Sequence, residues 1–474
     1  MERAKLSAGI SISLALSAAA GASWGGPPSL FQYQLVVRSN FASNPGGSFR
    51  IPGSWFFNSN NTPGLNDLNE VAHQVGVTSG DFPALWFGSA EAGGIVHQGP
   101  VGSFFSGASV NNAGDVVFEQ QFSASNGIYR YRKSTGMTGI LTTRPLGASG
   151  WGSVQINNAG QVGYRASFSG PNAYVSFAGE LNPPFHANDA SLDPMSPFSF
   201  LFTPSFNNNR QIGAFVRRGL AGQNGSSQPD EIRIFNSDGS SVLIAQDRNA
   251  NPASNFASFD NGVSLNDNGW VAFQATLVSP ANVRGVFLSN GVETRTIART
   301  DGGIISNLEF FAPSTNNIGF VVFRAFDTAN KRAIWLGNGD WLVRVVSEEQ
   351  LIDTDLGQAR IDQNDNSPVF GGGPRINNVS NVAFNAALTP ANNNQIEWGT
   401  GCFVAIISPP PPPECLGDAN GDRAVTFTDI TEVLANLGNM GDPFGPGDAN
   451  GDGTVNFSDI TEVLANLGAV CTSV

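Results

Sequence analysis

The sequence predicts a mainly β protein, namely a seven-bladed β-propeller followed by a small α-helical module that binds calcium. A degenerate motif, apolar-Asn-[Asn/Asp]-x-Gly-x-Val-x-Phe, recurs seven times along the body of the chain. The C-terminal end holds two near-copies of one acidic loop that match at 18 of 22 positions. With only 13% charged residues and with 56 Gly and 35 Phe, the composition is typical of a folded β protein with many turns.

The repeated motif has the chemistry of a β-hairpin. Each copy begins at an asparagine that is followed by Asn or Asp and, five residues on, by Val or Ile, at Asn66, Asn111, Asn157, Asn207, Asn266, Asn316 and Asn377. The Gly position is kept in four copies and is replaced by Asn69, Arg210 and Ser380 in the others. Asn, Asp and Gly tolerate the positive φ of a tight turn, and the flanking alternation of apolar residues indicates strands with one buried face.

Two further strand-like runs follow each hairpin, so the 45 to 61 residues of a unit hold about four short strands. The last unit runs into prolines after residues 402–407, whereas FQYQLVVRS and GSWFFNS precede the first motif without a unit of their own. Joining these segments would complete a seventh blade and close the ring without exposed sheet edges. A β-solenoid or two β-sandwiches are the alternatives. The repeat resembles the NxxGxxAF tandem-repeat proteins of bacteria, which carry assorted surface-anchoring tails.

The chain divides into four segments by composition. Residues 1–22 predict a secretory signal, because Arg3 and Lys5 precede a short apolar run and a cut after Ala22. No other stretch predicts a transmembrane anchor, and we expect the protein to be secreted or held at a bacterial cell surface. The propeller then covers residues 23–407, a proline linker covers 408–414, and the calcium module covers 415–474.

The two acidic loops have the ligand spacing of a calcium site, with oxygen donors at alternate positions and a carboxylate at the twelfth. The expected ligands are Asp418, Asn420, Asp422, the Ala424 carbonyl, Thr426 and Asp429 in the first loop, and Asp448, Asn450, Asp452, the Thr454 carbonyl, Asn456 and Asp459 in the second. The sixth position, where the loop turns sharply, is Gly453 in the second copy but Arg423 in the first. The sequence therefore predicts two Ca²⁺ sites, of which the first is the weaker.

Apolar residues at three- and four-residue spacing after each loop predict one amphipathic helix per loop. Two loop-helix units without the entering helix of an EF-hand resemble the type I dockerin module. The resemblance implies docking to a cohesin-like or other cell-surface protein through Phe427, Thr428, Phe457 and Ser458, with Leu434 and Leu464 beside them. The alternative is that both Phe and both Leu are core residues.

Three cysteines are present. Cys415 and Cys471 bracket the module, and a disulfide between them is the economical interpretation in an oxidising compartment. Pairing of Cys402 with Cys415 is the competing possibility.

The body of the chain carries few signals of chemistry. Its three histidines, His73, His97 and His186, lie in unrelated contexts, and His73 occupies the aromatic position of a repeat. Asp67, Asp115 and Asp267 lie in or beside the repeated turns and are interpreted as structural. An acidic segment with Asp353, Asp355, Asp362 and Asp365 is interpreted as a solvated insertion or an additional cation site. Trp55, Trp86, Trp151 and Trp335 could stack on sugars, although packing between blades is the more common role of strand aromatics.

Charge excludes one class of partner and leaves two classes of function. With 24 basic and 38 acidic residues, the chain lacks the positive charge that nucleic acids require. The favoured hypothesis is a non-catalytic binding or scaffold protein displayed through the calcium module, with polysaccharide as a candidate ligand of the propeller. The alternative is a polysaccharide-degrading enzyme, a glycoside hydrolase or lyase, docked through the same tail. A third hypothesis makes the tail a calcium-stabilised cap without a partner.

Overall fold

The fold is mainly β in the computed structural model of the protein. The structure describes residues 31–40, 47–52, 55–57, 61–77, 83–121, 126–364, 368–407, 416–422, 424–439, 446–450 and 454–470. The predicted signal segment, the proline linker, and both Cys415 and Cys471 lie outside the described residues. Antiparallel sheets follow one another in a propeller-like arrangement up to Ile407, and two helices follow later in the chain. The prediction of a mainly β, propeller-like body is confirmed.

We number the units by their asparagines, from unit 1 at Asn66 to unit 7 at Asn377. The strands that precede unit 4 are β1 (Phe31–Ser39), β2 (Trp55–Phe57), β3 (Gly64–Leu65), β4 (Val71–Val77), β5 (Ala84–Gly88), β6 (Gly93–Gln98), β7 (Phe104–Val110), β8 (Val116–Gln121), β9 (Gly127–Arg132), β10 (Met137–Thr142), β11 (Gly150–Ile156), β12 (Val162–Ser167), β13 (Asn172–Phe177) and β14 (Phe185–Asn188). Units 1, 2 and 3 each form an antiparallel sheet; successive strands are neighbours in units 2 and 3, whereas in unit 1 both β2 and β3 pair with β4.

Units 4 to 7 continue the pattern. Their strands are β15 (Phe198–Phe206), β16 (Ile212–Arg218), β17 (Asp230–Phe235), β18 (Ser241–Gln246), β19 (Phe256–Leu265), β20 (Val271–Leu277), β21 (Arg284–Ser289), β22 (Thr294–Arg299), β23 (Ile305–Leu308), β24 (Ser314–Thr315), β25 (Val321–Asp327), β26 (Arg332–Gly337), β27 (Leu342–Ser347), β28 (Leu351–Thr354), β29 (Gly357–Ile361), β30 (Phe370–Ile376), β31 (Val382–Pro390) and β32 (Gly399–Ile407). Units 4 and 5 are joined into one eight-stranded sheet by a single parallel pair, Thr203 with Gly262.

The N-terminal strand completes the last unit. β1 pairs antiparallel with β32 from Phe31 opposite Ile407 to Ser39 opposite Thr400, and β32 pairs with β31. The other N-terminal strand, β2, pairs with β4 and so belongs to unit 1. The prediction that both segments complete unit 7 is therefore wrong for the second one. The innermost position of unit 7 is already filled by β30, which leaves room only at the outer edge.

The repeated apolar positions form the core between units. The Val or Ile five residues after each asparagine is fully buried in all seven units, at Val71, Val116, Val162, Ile212, Val271, Val321 and Val382. The aromatic position is also buried wherever it is aromatic, at Phe118, Tyr164, Phe273, Phe323 and Phe384. His73 and Ala214, which replace the aromatic residue in units 1 and 4, are fully buried too. Burial of this alternating face is the main favourable term for each sheet.

The C-terminal part holds two short helices, α1 (Phe427–Ala435) and α2 (Phe457–Ala465), one after each acidic loop, as the spacing predicts. Each begins with a capping box, in which Thr426 or Asn456 caps the helix and Asp429 or Asp459 bonds back to the cap. The two halves pair symmetrically: Gly417 donates to the Ala449 carbonyl and Gly447 to the Ala419 carbonyl, each at 3.0 Å. Their shared core is small, with Ala419, Val425, Val433, Ala449, Val455 and Val463.

Candidate functional sites

The first site is the central channel, where a ring of hydrogen bonds joins the seven repeated asparagines. Each asparagine side chain donates through Nδ2 to the main-chain carbonyl of the next asparagine. The donors in ring order are Asn66 (2.9 Å), Asn111 (3.1 Å), Asn157 (3.4 Å), Asn207 (3.0 Å), Asn266 (2.9 Å), Asn316 (3.2 Å) and Asn377 (2.9 Å), and Asn377 donates to Asn66. The ring is closed, although its members are up to 311 residues apart in sequence.

The residue after each asparagine forms a second closed ring. Its main-chain N–H donates to the side-chain Oδ1 of the equivalent residue in the next unit, over 2.7 to 3.0 Å, through Asp67, Asn112, Asn158, Asn208, Asp267, Asn317 and Asn378. Asn and Asp share a short side chain with an sp² oxygen at the same position, so either residue can accept this bond. The repeated Asn-[Asn/Asp] pair therefore joins neighbouring units by hydrogen bonds.

Two members of the second ring are carboxylates, Asp67 in the first unit and Asp267 in the fifth. Oδ2 of Asp67 accepts from Asn112 at 2.7 Å and from Asn378 at 3.3 Å, and Oδ2 of Asp267 accepts from Asn208 and Asn317, both at 2.8 Å. These groups line a cavity of about 160 Å³ together with the residue that precedes each asparagine, which is apolar in six units and Thr315 in the other. Because amide donors flank both carboxylates, the interpretation of Asp67 and Asp267 as structural residues fits their contacts.

Two more sets of contacts between units were not visible in the sequence pattern. In six of the seven units the side chain eight positions after the asparagine bonds to the next unit, as when Gln274 donates to the Phe311 carbonyl at 3.0 Å; Phe215 is the exception. In five units the side chain two positions before the asparagine accepts a main-chain N–H of the next unit, as when Ser205 accepts from Leu265 at 3.0 Å. The first of these positions holds Gln74, Glu119, Arg165, Phe215, Gln274, Arg324 and Asn385. Such variety explains why self-comparison of the sequence does not single it out.

The acidic segment before unit 7 is part of the fold. Asp355 forms a bidentate ion pair with Arg38 of β1, at 2.9 Å for both bonds, and the Arg38 side chain is fully buried. Asp362 pairs with Arg360 at 3.2 Å, whereas Asp365 lies outside the described residues. The interpretation of this segment as a solvated insertion is wrong for Asp355, which fastens the N-terminal strand. Asp115 is likewise engaged, in an ion pair with Arg130.

The histidines are packed among apolar or aromatic neighbours. Nε2 of His73 lies 2.8 Å from the Asn385 amide and Nδ1 lies 2.7 Å from the Gln74 carbonyl, so the proton is assigned to Nδ1. Burial lowers the pKa of His73 to about 4 and that of His186 to about 4. Burial also lowers the pKa of His97, which stacks between Phe105 and Tyr129. All three are neutral at pH 7.

The tryptophans proposed for sugar stacking are mostly core residues. Trp86 is fully buried, Trp151 and Trp335 are nearly so, and the side chain of Trp55 lies outside the described part. Packing between units is thus confirmed for these three, and they are not free to stack on a ligand. Cys402 is a free, fully buried thiol in β32, and burial raises its pKa. This burial argues against the pairing of Cys402 with Cys415.

The second site is the pair of acidic loops. In the first, Oδ1 of Asp418 accepts from the Gly421 N–H at 2.8 Å, and Oδ1 of Asp422 accepts from the Ala424 N–H at 2.9 Å. The two oxygens of Asp429, a fully buried residue, accept from the N–H groups of Asn420 (3.1 Å) and Thr426 (2.7 Å). The loop thus curls around its own carboxylates.

The second loop repeats this pattern at Asp459, which is fully buried and accepts from Asn450 at 3.1 Å and Asn456 at 2.8 Å. Asp448 is nearly buried, and Asp452 lies outside the described residues. Within the described part of the chain, no three carboxylate, imidazole or thiolate groups are close enough to hold a metal. The predicted set also uses amide, hydroxyl and carbonyl oxygens, and an all-oxygen set around buried carboxylates suits a hard divalent cation.

The third site is an apolar surface on the two helices, formed by Phe427, Leu434, Phe457 and Leu464. Their exposed fractions are 68%, 54%, 71% and 54%. The alternative that these side chains are core residues is wrong, because all four are more than half exposed and Val433 and Val463, on a different side of the helices, fill the core. Thr428 and Ser458 lie beside the two Phe residues and accept from Asn420 at 3.1 Å and from Asn450 at 2.8 Å.

The fold and the ring define a class: a propeller-like β protein whose units are fastened by repeated Asn-[Asn/Asp] pairs. Residues 156–405 match a family described as a family of unknown function (DUF7453), and the chain belongs to this family. A search of curated proteins found no significant match.

Several solved structures are similar in outline. An oligogalacturonate lyase in complex with manganese has a TM-score of 0.49 at 10% identity, over 80% of this chain and 97% of that one. The β-propeller domain of the Trilobed protease from Pyrococcus furiosus has a TM-score of 0.46 at 11% identity, over 72% and 91% of the two chains. The polysaccharide lyase Uly1 has a TM-score of 0.44 at 9% identity, over 80% and 100%. Similarities at this level assign no activity to this chain.

None of the helices in the described part of the chain has the length and apolar character needed to cross a membrane.

Proposed function

We propose that the protein is an exported propeller that binds polysaccharide without cleaving it and is held on a partner protein through its calcium-dependent, dockerin-like C-terminal module. The observation that carries the proposal is the exposed quartet Phe427, Leu434, Phe457 and Leu464 on a module whose core is filled by other residues.

Exposure of four large apolar side chains on a module of this size favours a docking surface. Full burial of an apolar side chain is favourable by on the order of 1.5–3 kcal/mol, so covering this face with a partner would stabilise the complex. The four residues belong to two symmetric halves, with one Phe and one Leu on each helix. Patches of this kind on soluble proteins mark interaction sites more often than accidents of packing.

Calcium is the proposed switch of this docking surface. The ligands would be the oxygens of Asp418, Asn420, Asp422, Ala424, Thr426 and Asp429 in one loop and those of Asp448, Asn450, Asp452, Thr454, Asn456 and Asp459 in the other. The same Asp429 and Asp459 cap the two helices that present the apolar quartet. A cation held by these carboxylates would therefore fix both helices, whereas its removal would leave buried like charges.

For the body of the chain we infer a ring of seven blades. The closed rings through seven asparagines and through the seven residues after them support this count, with units 4 and 5 as separate blades that touch at Thr203 and Gly262. The carboxylates at the channel are held by amides, and those of the acidic segment by arginines. Such engaged carboxylates favour a binding surface over acid-base catalysis, which needs two carboxyl groups placed across a glycosidic bond.

Capture on an immobilised full-length protein tests the docking. We expect a protein from the envelope fraction to be retained in calcium, released by EGTA, and lost in the double variant Phe427→Ala/Phe457→Ala. Val470→Ala, which changes another exposed apolar side chain of the same module, serves as the matched control and should capture as the wild type does. Equal capture by the double variant, or capture in EGTA, would disprove the proposed docking.

Sugar release by the same protein from a panel of plant, algal and microbial polysaccharides tests the absence of catalysis. Binding without release is expected. Release of reducing or unsaturated ends would replace the binding function with the alternative, a glycoside hydrolase or lyase.

A further inference from the structure

Units 5 and 6 meet at a group of polar side chains around Arg284. Its Nη2 donates to Oδ2 of Asp260 at 2.5 Å and to Oε1 of Gln274 at 3.2 Å, and its Nη1 donates to the Leu308 carbonyl at 2.6 Å. The guanidinium carbon also lies 4.6 Å from the centre of the Phe310 ring. One face of this ring is thus supported by a guanidinium whose donors are already engaged.

Phe310 itself is 82% exposed, which is unusual for a large aromatic side chain. The next residue, Phe311, makes the same kind of contact with a buried arginine. Phe311 stacks at 4.2 Å on Arg324, which is buried and forms a bidentate pair with Glu309 at 2.7 Å. Two successive Phe residues thus each stack on an arginine that pairs with a carboxylate. The arginine against Phe311 is buried, whereas the Phe310 ring is exposed to solvent.

Phe310 lies between β23 and β24, six residues before Asn316. Ala312, two residues further on, comes close to both neighbouring units. A Cβ placed on Gly262 of unit 5 would lie 2.5 Å from Ala312, and one on Gly373 of unit 7 would lie 3.5 Å from the Ala312 carbonyl oxygen. The exposed ring shares Arg284 with Asp260 and with the exposed Asn307, whose Oδ1 accepts from Nη1 of Arg284 at 3.4 Å.

We propose that Phe310, Asp260 and Asn307 form a subsite for one sugar ring of a neutral polysaccharide. A flat aromatic face can stack on the apolar face of a sugar ring, while planar carboxylate and amide groups at its edge accept from and donate to neighbouring hydroxyls. Phe310 supplies the stacking face, and Asp260 keeps acceptor capacity beyond its bond to Arg284. This assignment rests on the proposed polysaccharide-binding function and gives it a location and a ligand class.

A neutral sugar fits this site better than an anionic one. Both arginines that stack on this pair of Phe residues are compensated, Arg284 by Asp260 and a main-chain carbonyl and Arg324 by Glu309. The chain as a whole carries a formal charge of −14, which repels polyanions at long range.

Affinity electrophoresis of the full-length protein through gels with neutral β-glucan, xylan or glucomannan tests the subsite, with alginate and polygalacturonate as anionic comparisons. We expect at least one neutral polymer to retard the wild type and the anionic polymers not to do so. Phe310→Ala should weaken that retardation about tenfold or more, as loss of a stacking platform does. Asp260→Asn should weaken it to a smaller extent, because an amide keeps one acceptor oxygen.

Met195→Ala is the matched control, because Met195 is 89% exposed and lies in a different unit connection. It should bind as the wild type does. Retardation of the wild type by no polymer would overturn the polysaccharide-binding function itself. Retardation that Phe310→Ala leaves unchanged, or that only anionic polymers produce, would overturn the subsite alone.

Discussion

The propeller and the C-terminal module are stabilised in different ways. The propeller closes on itself through two rings of seven hydrogen bonds, and its N-terminal strand is held on the last unit by the Arg38 and Asp355 pair and by the pairing of β1 with β32. The module has a core of six small or branched residues and buries Asp429 and Asp459 beside it.

This difference in stabilisation bears on whether each region depends on a bound cation. A large ring supplies its own partners for every repeated polar group, so its polar residues rigidify it without a ligand. A small module that buries carboxylates needs a cation to offset them, because a buried charge without a counter-charge is costly. The propeller is thus expected to be independent of calcium and the module to depend on it.

Removal of calcium should therefore give the largest effect and should act on one region only. In differential scanning calorimetry of the full-length protein, we expect EGTA to abolish the transition of the module and to leave that of the propeller within about 1–2 °C. This follows because binding energy of a metal that requires the folded loop is folding energy. Asp459→Ala should reproduce part of the loss, whereas Glu432→Gln, outside the loops, should not. A module transition that persists in EGTA would contradict the comparison.

Acidification should act on the propeller instead. The pKa values of His73 and His186 are lowered to about 4 by burial, whereas an unfolded histidine titrates near 6.5. Above pH 6.5 both states hold neutral rings. Between pH 6.5 and 4 the unfolded state binds protons that the folded state does not, so the free energy of unfolding falls by about 3 kcal/mol per histidine.

Urea denaturation at pH 7 and at pH 4.5 measures this effect. His73→Gln should remove the share of one histidine from the pH dependence, whatever its stability at pH 7. A pH dependence identical to that of the wild type would show that His73 does not carry it.

Within the propeller, a buried ring asparagine should matter more than an exposed turn residue. Asn266→Ala removes the bond to the Asn316 carbonyl at 2.9 Å and two turn bonds, from Asn268 at 3.0 Å and Trp270 at 2.9 Å. We expect a loss of about 2–4 kcal/mol in the free energy of unfolding of the propeller. Asn268→Ala, an exposed residue with one bond to the Asn317 carbonyl, should cost about 1 kcal/mol or less. Equal losses would mean that the ring has no special role.

The smallest effect is expected at the seam between units 7 and 1. Asn69 replaces the Gly of the turn at φ 60° and accepts from Asn377 at 3.1 Å and Asn381 at 2.9 Å. Asn69→Gly relieves the left-handed strain but loses both bonds, so we expect a change within about 1 kcal/mol.

Gly269→Asn is the complementary variant. Gly269 has φ 78° and free space around its Cβ position. Strain without compensating bonds should make this variant less stable by about 1 kcal/mol. Denaturation midpoints of the two variants compare them directly, and a stabilised Gly269→Asn would contradict the argument.

Much of the propeller could be predicted because its local and global requirements coincide. The Asn that begins each tight turn also donates to the next unit, so seven copies of one local pattern made both the hairpins and the ring. The register of β1 on β32 could not be predicted, because the pairing of strands more than 360 residues apart depends on which inner position is already filled. The same holds for Asp355, whose partner Arg38 lies 317 residues away.

The same distinction between local and long-range contacts applies to the candidate sites. Ligand spacing in the loops at Asp418 and Asp448 is local, so the sequence alone indicated it. Which side of a nine-residue helix faces solvent was decided by the packing of the two halves, which bury Val433 and Val463 and leave Phe427 and Phe457 exposed. The sequence does not distinguish Phe310 from its neighbour Phe311. Only the structure shows that Phe310 is 82% exposed whereas Phe311 stacks on the buried Arg324.

By itself, the sequence determined the mainly β architecture, the seven repeated turns and the two acidic loops, because each depends on residues close together in the chain. Tertiary structure alone decided how the ring closes, which polar groups are engaged by neighbours, and which aromatic residues remain exposed. These depend on contacts between residues tens to hundreds of positions apart, where packing and hydrogen-bond satisfaction select one arrangement among many that the local pattern allows.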